Sequence, residues 1–218
     1  MINKSEIEQR VAEFLLQIKA IKLQPSNPFT WASGIKSPIY CDNRITLSHS
    51  TIRTYIRQNL TALVQEEFGS VGLIAGVATA GIPQGVLVAQ ELGLPFAYVR
   101  SKPKEHGTGS LIEGEIFDNQ RVVVVEDLIS TGKSSLQAVE ALRQAGCEVA
   151  GLVAIFSYGL DEATENFKKA KCRFSTLSNY NALIQYASEH RLINNDDLDL
   201  LRKWRDNPKE WGTQVQTQ

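Results

Sequence analysis

Residues 121–135 read RVVVVEDLISTGKSS, and this run limits the fold more than any other part of the chain. Val122, Val123, Val124 and Val125 put branched apolar side chains on both faces of an extended segment, so both faces must be covered. A parallel sheet with helices on either side meets that requirement. The run is broken by two adjacent acids, Glu126 and Asp127. Ser130, Thr131 and Gly132 follow, and an amphipathic stretch begins at Lys133. A buried strand that ends in carboxylates and turns through small hydroxyl-bearing residues into a helix suits a sugar phosphate. The loop amides and the helix N-terminus can hold the phosphate, and the acids can accept hydrogen bonds from ribose hydroxyls. Adjacent like charges repel unless something positive or donating lies between them, which a ribose diol with a nearby magnesium ion would supply.

The same alternation continues along the chain. Residues 71–77, 96–100, 121–125 and 149–156 predict apolar strands, and residues 82–92 and 133–145 predict helices between them. Ser5 and Glu8 predict a capping box for a first helix carrying Ile7, Val11, Phe14, Leu15 and Ile18. Residues 50–68 predict a second helix that stops at Gly69. Between these helices, Pro25, Pro28, Gly34 and Pro38 break the chain into short extended pieces. Beyond Gly159, helices are expected at 161–171, 181–190 and 196–204, with a strand at 172–177. The expected fold is α/β: an open, mostly parallel sheet with helices on both faces, in one domain of 218 residues. Residues 212–218 read as a frayed tail.

Charge and cysteine usage narrow the classes of function. A formal net charge of −1 argues against a general nucleic-acid binder. Cys41, Cys147 and Cys172 are odd in number and lack metal-like spacing, so no disulfide framework is expected. The polar N-terminus does not resemble a secretory signal, and no apolar run is long enough to span a bilayer. A cytoplasmic protein with no membrane partner is the expectation.

Ligands of open parallel sheets sit beyond the carboxyl ends of the strands. Three loops leave such ends here. In ATAGIP (78–83), small residues let backbone amides approach a ligand, although alone it reads slightly better as a plain strand-to-helix turn. In RSKPKEHGTGSLIEG (100–114), Arg100, Lys102, Lys104 and His106 gather positive charge that could close over a polyphosphate; the alternative is a solvated charged loop. Its Gly107 and Gly109 do not complete a dinucleotide fingerprint, because the third glycine position holds Ile112. In the third loop, Gly132, Lys133 and Ser134 imitate the end of a Walker A motif, but Asp127 occupies the position of its first glycine.

With these residues in view, EDLISTGKS after its apolar strand resembles the phosphoribosyl-pyrophosphate motif of the type I phosphoribosyltransferases. PFTWASGIKSPIYCDNR and YVRSKPKEHGTG narrow the resemblance to the orotate-using branch, and DDLDLLRKW is compatible with it. The likeness covers nearly all of residues 6–211. It implies a fold with a small hood built from N- and C-terminal segments. Residues 1–45 would form the first helix and hood, 70–160 the phosphoribosyl-pyrophosphate-binding core and 161–211 the C-terminal helices. It implies transfer of a phosphoribosyl group to orotate, with magnesium (Mg2+) held mainly by substrate and water, in a homodimer whose mobile loop is shared across the interface.

By position, Leu128, Ile129, Ser130, Thr131, Gly132, Lys133 and Ser134 would cradle the 5′-phosphate, and Glu126 and Asp127 would hold the ribose hydroxyls. Ala78, Thr79, Ala80 and Gly81 would face the pyrophosphate. Arg100, Lys104 and His106 would contact pyrophosphate from the mobile loop, and with Asp127 they form the expected catalytic set. Ser130 would contact orotate, and the backbone at Tyr40 and Cys41 would read its pyrimidine edge. Ala32, Ser101 and Tyr158 stand where many relatives carry basic residues, which leaves Lys36 as the candidate partner of the orotate carboxylate. The alternatives are a phosphoribosyltransferase for a purine base and a non-catalytic regulator that senses phosphoribosyl pyrophosphate.

Overall fold

The computed structural model describes residues 3–30, 36–102, 110–208 and 210–211. Helix α1 (Lys4–Gln17) is capped by Asn3, whose side chain accepts from the Glu6 amide at 3.4 Å. The helix therefore starts ahead of the expected Ser5–Glu8 box, because asparagine is an equally good cap and stands two residues earlier. Next come β1 (Ile21–Leu23), β2 (Phe29–Thr30), β3 (Lys36–Ser37) and β4 (Ile39–Cys41). β1 pairs antiparallel with β4, and β2 with β3. A 3-10 helix (Asn43–Ser48) then leads into α2 (Ser50–Phe68), which Gly69 stops at a positive φ.

The core alternates as expected: β5 (Leu73–Val77), α3 (Gly81–Leu92), β6 (Phe96–Val99), β7 (Ile112–Glu113), β8 (Arg121–Ile129), α4 (Lys133–Gln144), β9 (Glu148–Ser157), α5 (Asp161–Lys169) and β10 (Phe174–Asn179). Helices α6 (Tyr180–Glu189) and α7 (Asn195–Asp206) follow, the latter with an Asn194–Asp197 capping box. The sheet order is β10-β9-β8-β5-β6-β7. Every neighbouring pair is parallel except β6–β7.

All four valines are fully buried, and their alternation divides the core in two. Val123 and Val125 join the cluster containing α1, α2, α3 and α6 residues, whereas Val122 and Val124 join the cluster beneath α4 and α5. Two expectations need correction. β8 does not stop at Val125: β9 supplies pairing partners as far as Ser157, so the ladder carries Glu126 and Asp127 inside the strand. Nor is 101–114 wholly loop, because Ile112 and Glu113 pair with Val99 and Tyr98. The calls on Ala32, Lys104, His106, Gly107, Gly109 and the tail 212–218 lie outside the described residues.

Helix α3 sits tight against the sheet. A β-carbon on Gly81 would run into the Val125 carbonyl and come within 3.3 Å of Glu126 Cα. Gly81→Ala must therefore lift the helix from β8. The expected cost is about 2–3 kcal/mol, measurable as a melting temperature lowered by roughly 5–10 °C.

Candidate active site

The strand order reverses between β5 and β8: from β5 the chain adds β6 on one side and later β8 on the other. A crevice opens at such a switch point, beyond the carboxyl ends of the two strands. The loops placed there are 78–80, which leads from β5 into α3, and 130–132, which leads from β8 into α4. Two of the three loops picked out by sequence are thus neighbours.

In the first loop the Ala78–Thr79 peptide is cis. The Ala78 amide donates to the Val99 carbonyl at 2.9 Å, and Ala80 caps α3 without a side-chain hydrogen bond. The second loop is braced from α5. Asn166 Nδ2 donates to the Thr131 carbonyl at 2.9 Å, and the Phe167 ring packs against Gly132, whose φ of +77° favours glycine. Gly132 likewise caps α4 without a side chain, so the first-turn amides of that helix remain available to an anion. Lys133 Nζ pairs with Glu162 at 3.2 Å. Leu128 packs against one core cluster and Ile129 is buried in the other, which leaves only their backbones for a ligand.

The two acids have different surroundings because adjacent strand residues face opposite sides of a sheet. Glu126 is 5% exposed and faces α4: its Oε2 accepts from Ser135 Oγ at 3.1 Å, and its Oε1 accepts from the Asp127 amide at 3.0 Å. Burial and then the charge of Asp127 hold the Glu126 carboxyl well above the usual range. Asp127 is less buried and faces the N-terminal segment. Burial raises its carboxyl too, opposed by hydrogen bonds and by Arg44.

On that side, Asn43 Nδ2 donates to the Asp127 carbonyl at 2.7 Å, and Cys41 Sγ donates to Asn43 Oδ1 at 3.3 Å. Cys41 is thereby brought to the carboxyl end of β8. Tyr40 is exposed and lies 5.6 Å from the Phe29 ring. Lys36 Nζ donates to Thr30 Oγ1 at 2.8 Å, within the β2–β3 pair. Arg100 stands at the end of β6, two strands from β8, where Glu113 holds its guanidinium at 3.3 Å. Asn43, Ser135 and Asn166 were missed by sequence reasoning. Asn43 was at least legible as part of the CDNR segment, but Asn166 in mid-helix carries no local signal.

Comparison with known proteins places this geometry. A profile of the phosphoribosyl transferase domain matches residues 48–190. An orotate phosphoribosyltransferase from Phocaeicola vulgatus is 57% identical over 205 residues, covering 94% of this chain and 97% of that protein. The chain belongs to the orotate phosphoribosyltransferase family. An orotate phosphoribosyltransferase from Listeria innocua is 52% identical over 206 residues, covering 94% of this chain and 99% of that protein. The crystal structure of orotate phosphoribosyltransferase from Aeropyrum pernix superposes with a TM-score of 0.73 at 27% identity, covering 84% of this chain and 99% of that one.

Tyr158, just past the end of β9, is buried. Its ring meets Phe156 edge-on at 5.9 Å and Trp204 at 5.8 Å. Burial pushes its phenol well above the usual range, with Cys41 and Asp127 among the nearby groups that add to the shift.

The Glu126 environment makes a testable statement about pH. Below about pH 4.3 the carboxyl is protonated whether the chain is folded or not. Above that pH the folded chain keeps the proton longer, so stability falls as pH rises towards the elevated folded pKa. Glu126→Gln keeps an acceptor for the Asp127 amide and a donor towards Ser135 without the charge. It should be more stable than the native sequence at pH 8, with the difference shrinking as pH falls towards 4, as followed by urea unfolding across pH.

Proposed function

We propose that this chain transfers the phosphoribosyl group of 5-phospho-α-D-ribose 1-diphosphate to orotate, releasing pyrophosphate and forming orotidine 5′-monophosphate in pyrimidine biosynthesis. The observation that carries the reading is the 57% identity over 94% of the chain. A match of that extent takes in residues 30–40, the segment for which a purine-specific relative would have little use.

The site supports roles for its parts. The amides and hydroxyls of 128–134 cradle the 5′-phosphate, with Ser130 also against orotate. Residues 78–81 face the pyrophosphate. Asp127, with Glu126 behind it, accepts from the ribose hydroxyls. The strand at Tyr40 and Cys41 reads the pyrimidine edge through its backbone, and Lys36 meets the orotate carboxylate once it leaves Thr30.

As the bond from the anomeric carbon to pyrophosphate breaks, its electron pair leaves with the pyrophosphate and positive charge grows on the ribose. The orotate ring nitrogen then forms the new bond and gives up its proton to water or to the departing pyrophosphate. Fixed groups that stabilise both charges suit such a step. Arg100 and Lys104 neutralise the leaving group, and His106 assists by hydrogen bonding.

Among the described residues no group of three or more His, Cys, Asp or Glu side chains is placed to hold a metal ion. The donor set nevertheless fits magnesium, which keeps several waters and binds through one or two carboxylates together with substrate oxygens. Asp127 is the carboxylate that would contribute, and the ion would supply charge neutralisation at the diphosphate. No helix among the described residues is long and apolar enough to cross a membrane. A cytoplasmic homodimer that shares the 100–114 loop between subunits completes the proposal.

The test combines the protein, magnesium, phosphoribosyl pyrophosphate and separate bases: orotate, uracil, hypoxanthine, adenine and xanthine. Product with orotate alone is expected, and turnover of a purine instead would reverse the assignment. Lys104→Ala should lower kcat by at least about 100-fold while the thermal unfolding curve stays in place. In steady-state assays, Asp127→Asn should raise KM for phosphoribosyl pyrophosphate and lower kcat/KM by about 10-fold or more.

A further inference from the structure

Asn43 is 1% exposed and links Cys41, two residues before it, to Asp127, 84 residues after it. We infer that it is a positioning residue, setting the base-binding strand against the phosphoribosyl motif without itself touching substrate. The inference rests on the roles proposed above for Cys41 and Asp127.

The side-chain amide has one accepting and one donating end, and both are used. Oδ1 takes the Cys41 thiol at 3.3 Å, and Nδ2 gives to the Asp127 carbonyl at 2.7 Å. Turning the amide over would set its oxygen against the Asp127 carbonyl, so one orientation alone satisfies both partners. The backbone of Asn43 extends the chain of contacts. Its carbonyl accepts from Thr46 Oγ1 at 2.6 Å, and Thr46 Oγ1 accepts from Gln84 Nε2 at 3.3 Å. Thr46 and Gln84 are both buried, and Gln84 belongs to α3, the helix that begins at the end of the pyrophosphate loop.

Strand β4, strand β8 and helix α3 are thus joined by one buried line of hydrogen bonds. Burying these polar groups is costly, and a well-packed apolar residue of similar shape could give comparable stability. What the polar residue adds is direction. It ties the height of β4 to that of Asp127, which sets the distance between base and ribose.

The test uses one ligand that needs the correct spacing and one that does not. Orotidine 5′-monophosphate occupies the base and phosphoribosyl positions together, whereas ribose 5-phosphate occupies only the latter. Both affinities are measured by calorimetry in the native protein and in Asn43→Leu, alongside steady-state kinetics. In the variant, ribose 5-phosphate should bind within about threefold of native, while orotidine 5′-monophosphate weakens by about tenfold or more. KM for orotate should rise more than KM for phosphoribosyl pyrophosphate. Equal losses for both ligands, or none, would overturn the inference, since a purely structural residue loosens both positions alike.

If Asn43→Leu does not fold, Thr46→Val removes two links of the same line with little change of shape. It should weaken orotidine 5′-monophosphate selectively, by about threefold; no selectivity in that variant overturns the inference as well. A native protein that binds ribose 5-phosphate but not orotidine 5′-monophosphate would instead overturn the orotate reading, and the inference with it.

Discussion

Burial of β8 on both faces is the constraint from which the rest of the structure follows. Four consecutive valines can be shielded only if helices cover the sheet above and below, and the chain provides α2 and α3 on one side and α4 and α5 on the other. Parallel pairing with β5 and β9 then brings the carboxyl ends of these strands to one edge. The polar loops must leave from that edge, since the strands themselves have no room for them. The location of the site is therefore a consequence of how the core is closed.

Close approach does the remaining placement. Gly76 and Gly81 let β5, α3 and β8 come nearer than any side chain would permit, with Gly76 also under the Phe96 ring. The start of α3 at Gly81 stays beside Val125 and Glu126 for that reason. On the opposite face, Asn166 and Phe167 brace the 130–132 loop from α5. The proposed anion cradle is held by residues that need never meet an anion.

The periodicity of the sequence was enough for the sheet, its helices and the two loops at the switch point. The uniformly apolar strands could not belong to a half-exposed sheet, whereas the small residues at 78–81 alone read slightly better as a plain turn and drew meaning only from their place beside 130–132. Strand ends were less legible. Glu126 and Asp127 looked like a terminus because acids seldom continue a buried strand, yet β9 offered partners beyond them. The short β7 was hidden because a pair of residues has no periodicity. Asn43 and Asn166 escaped notice for a different reason. Their importance lies in contacts with Asp127 and Thr131, residues distant in sequence; Asn43 at least belongs to the CDNR segment, whereas nothing local to Asn166 announces its contact.

The antiparallel pairing of β6 with β7 at the sheet edge has one more consequence. Val99 lies opposite Ile112, and the Arg100 amide donates to the Leu111 carbonyl at 2.8 Å. The basic segment therefore leaves the sheet and returns to it at a single point, as an insert with a closed base. Lengthening such an insert adds to its closure entropy only logarithmically. Residues between Arg100 and Leu111 can thus be changed, added or removed with little effect on the register of the sheet, which allows the chemistry of this segment to vary independently of the architecture that carries it.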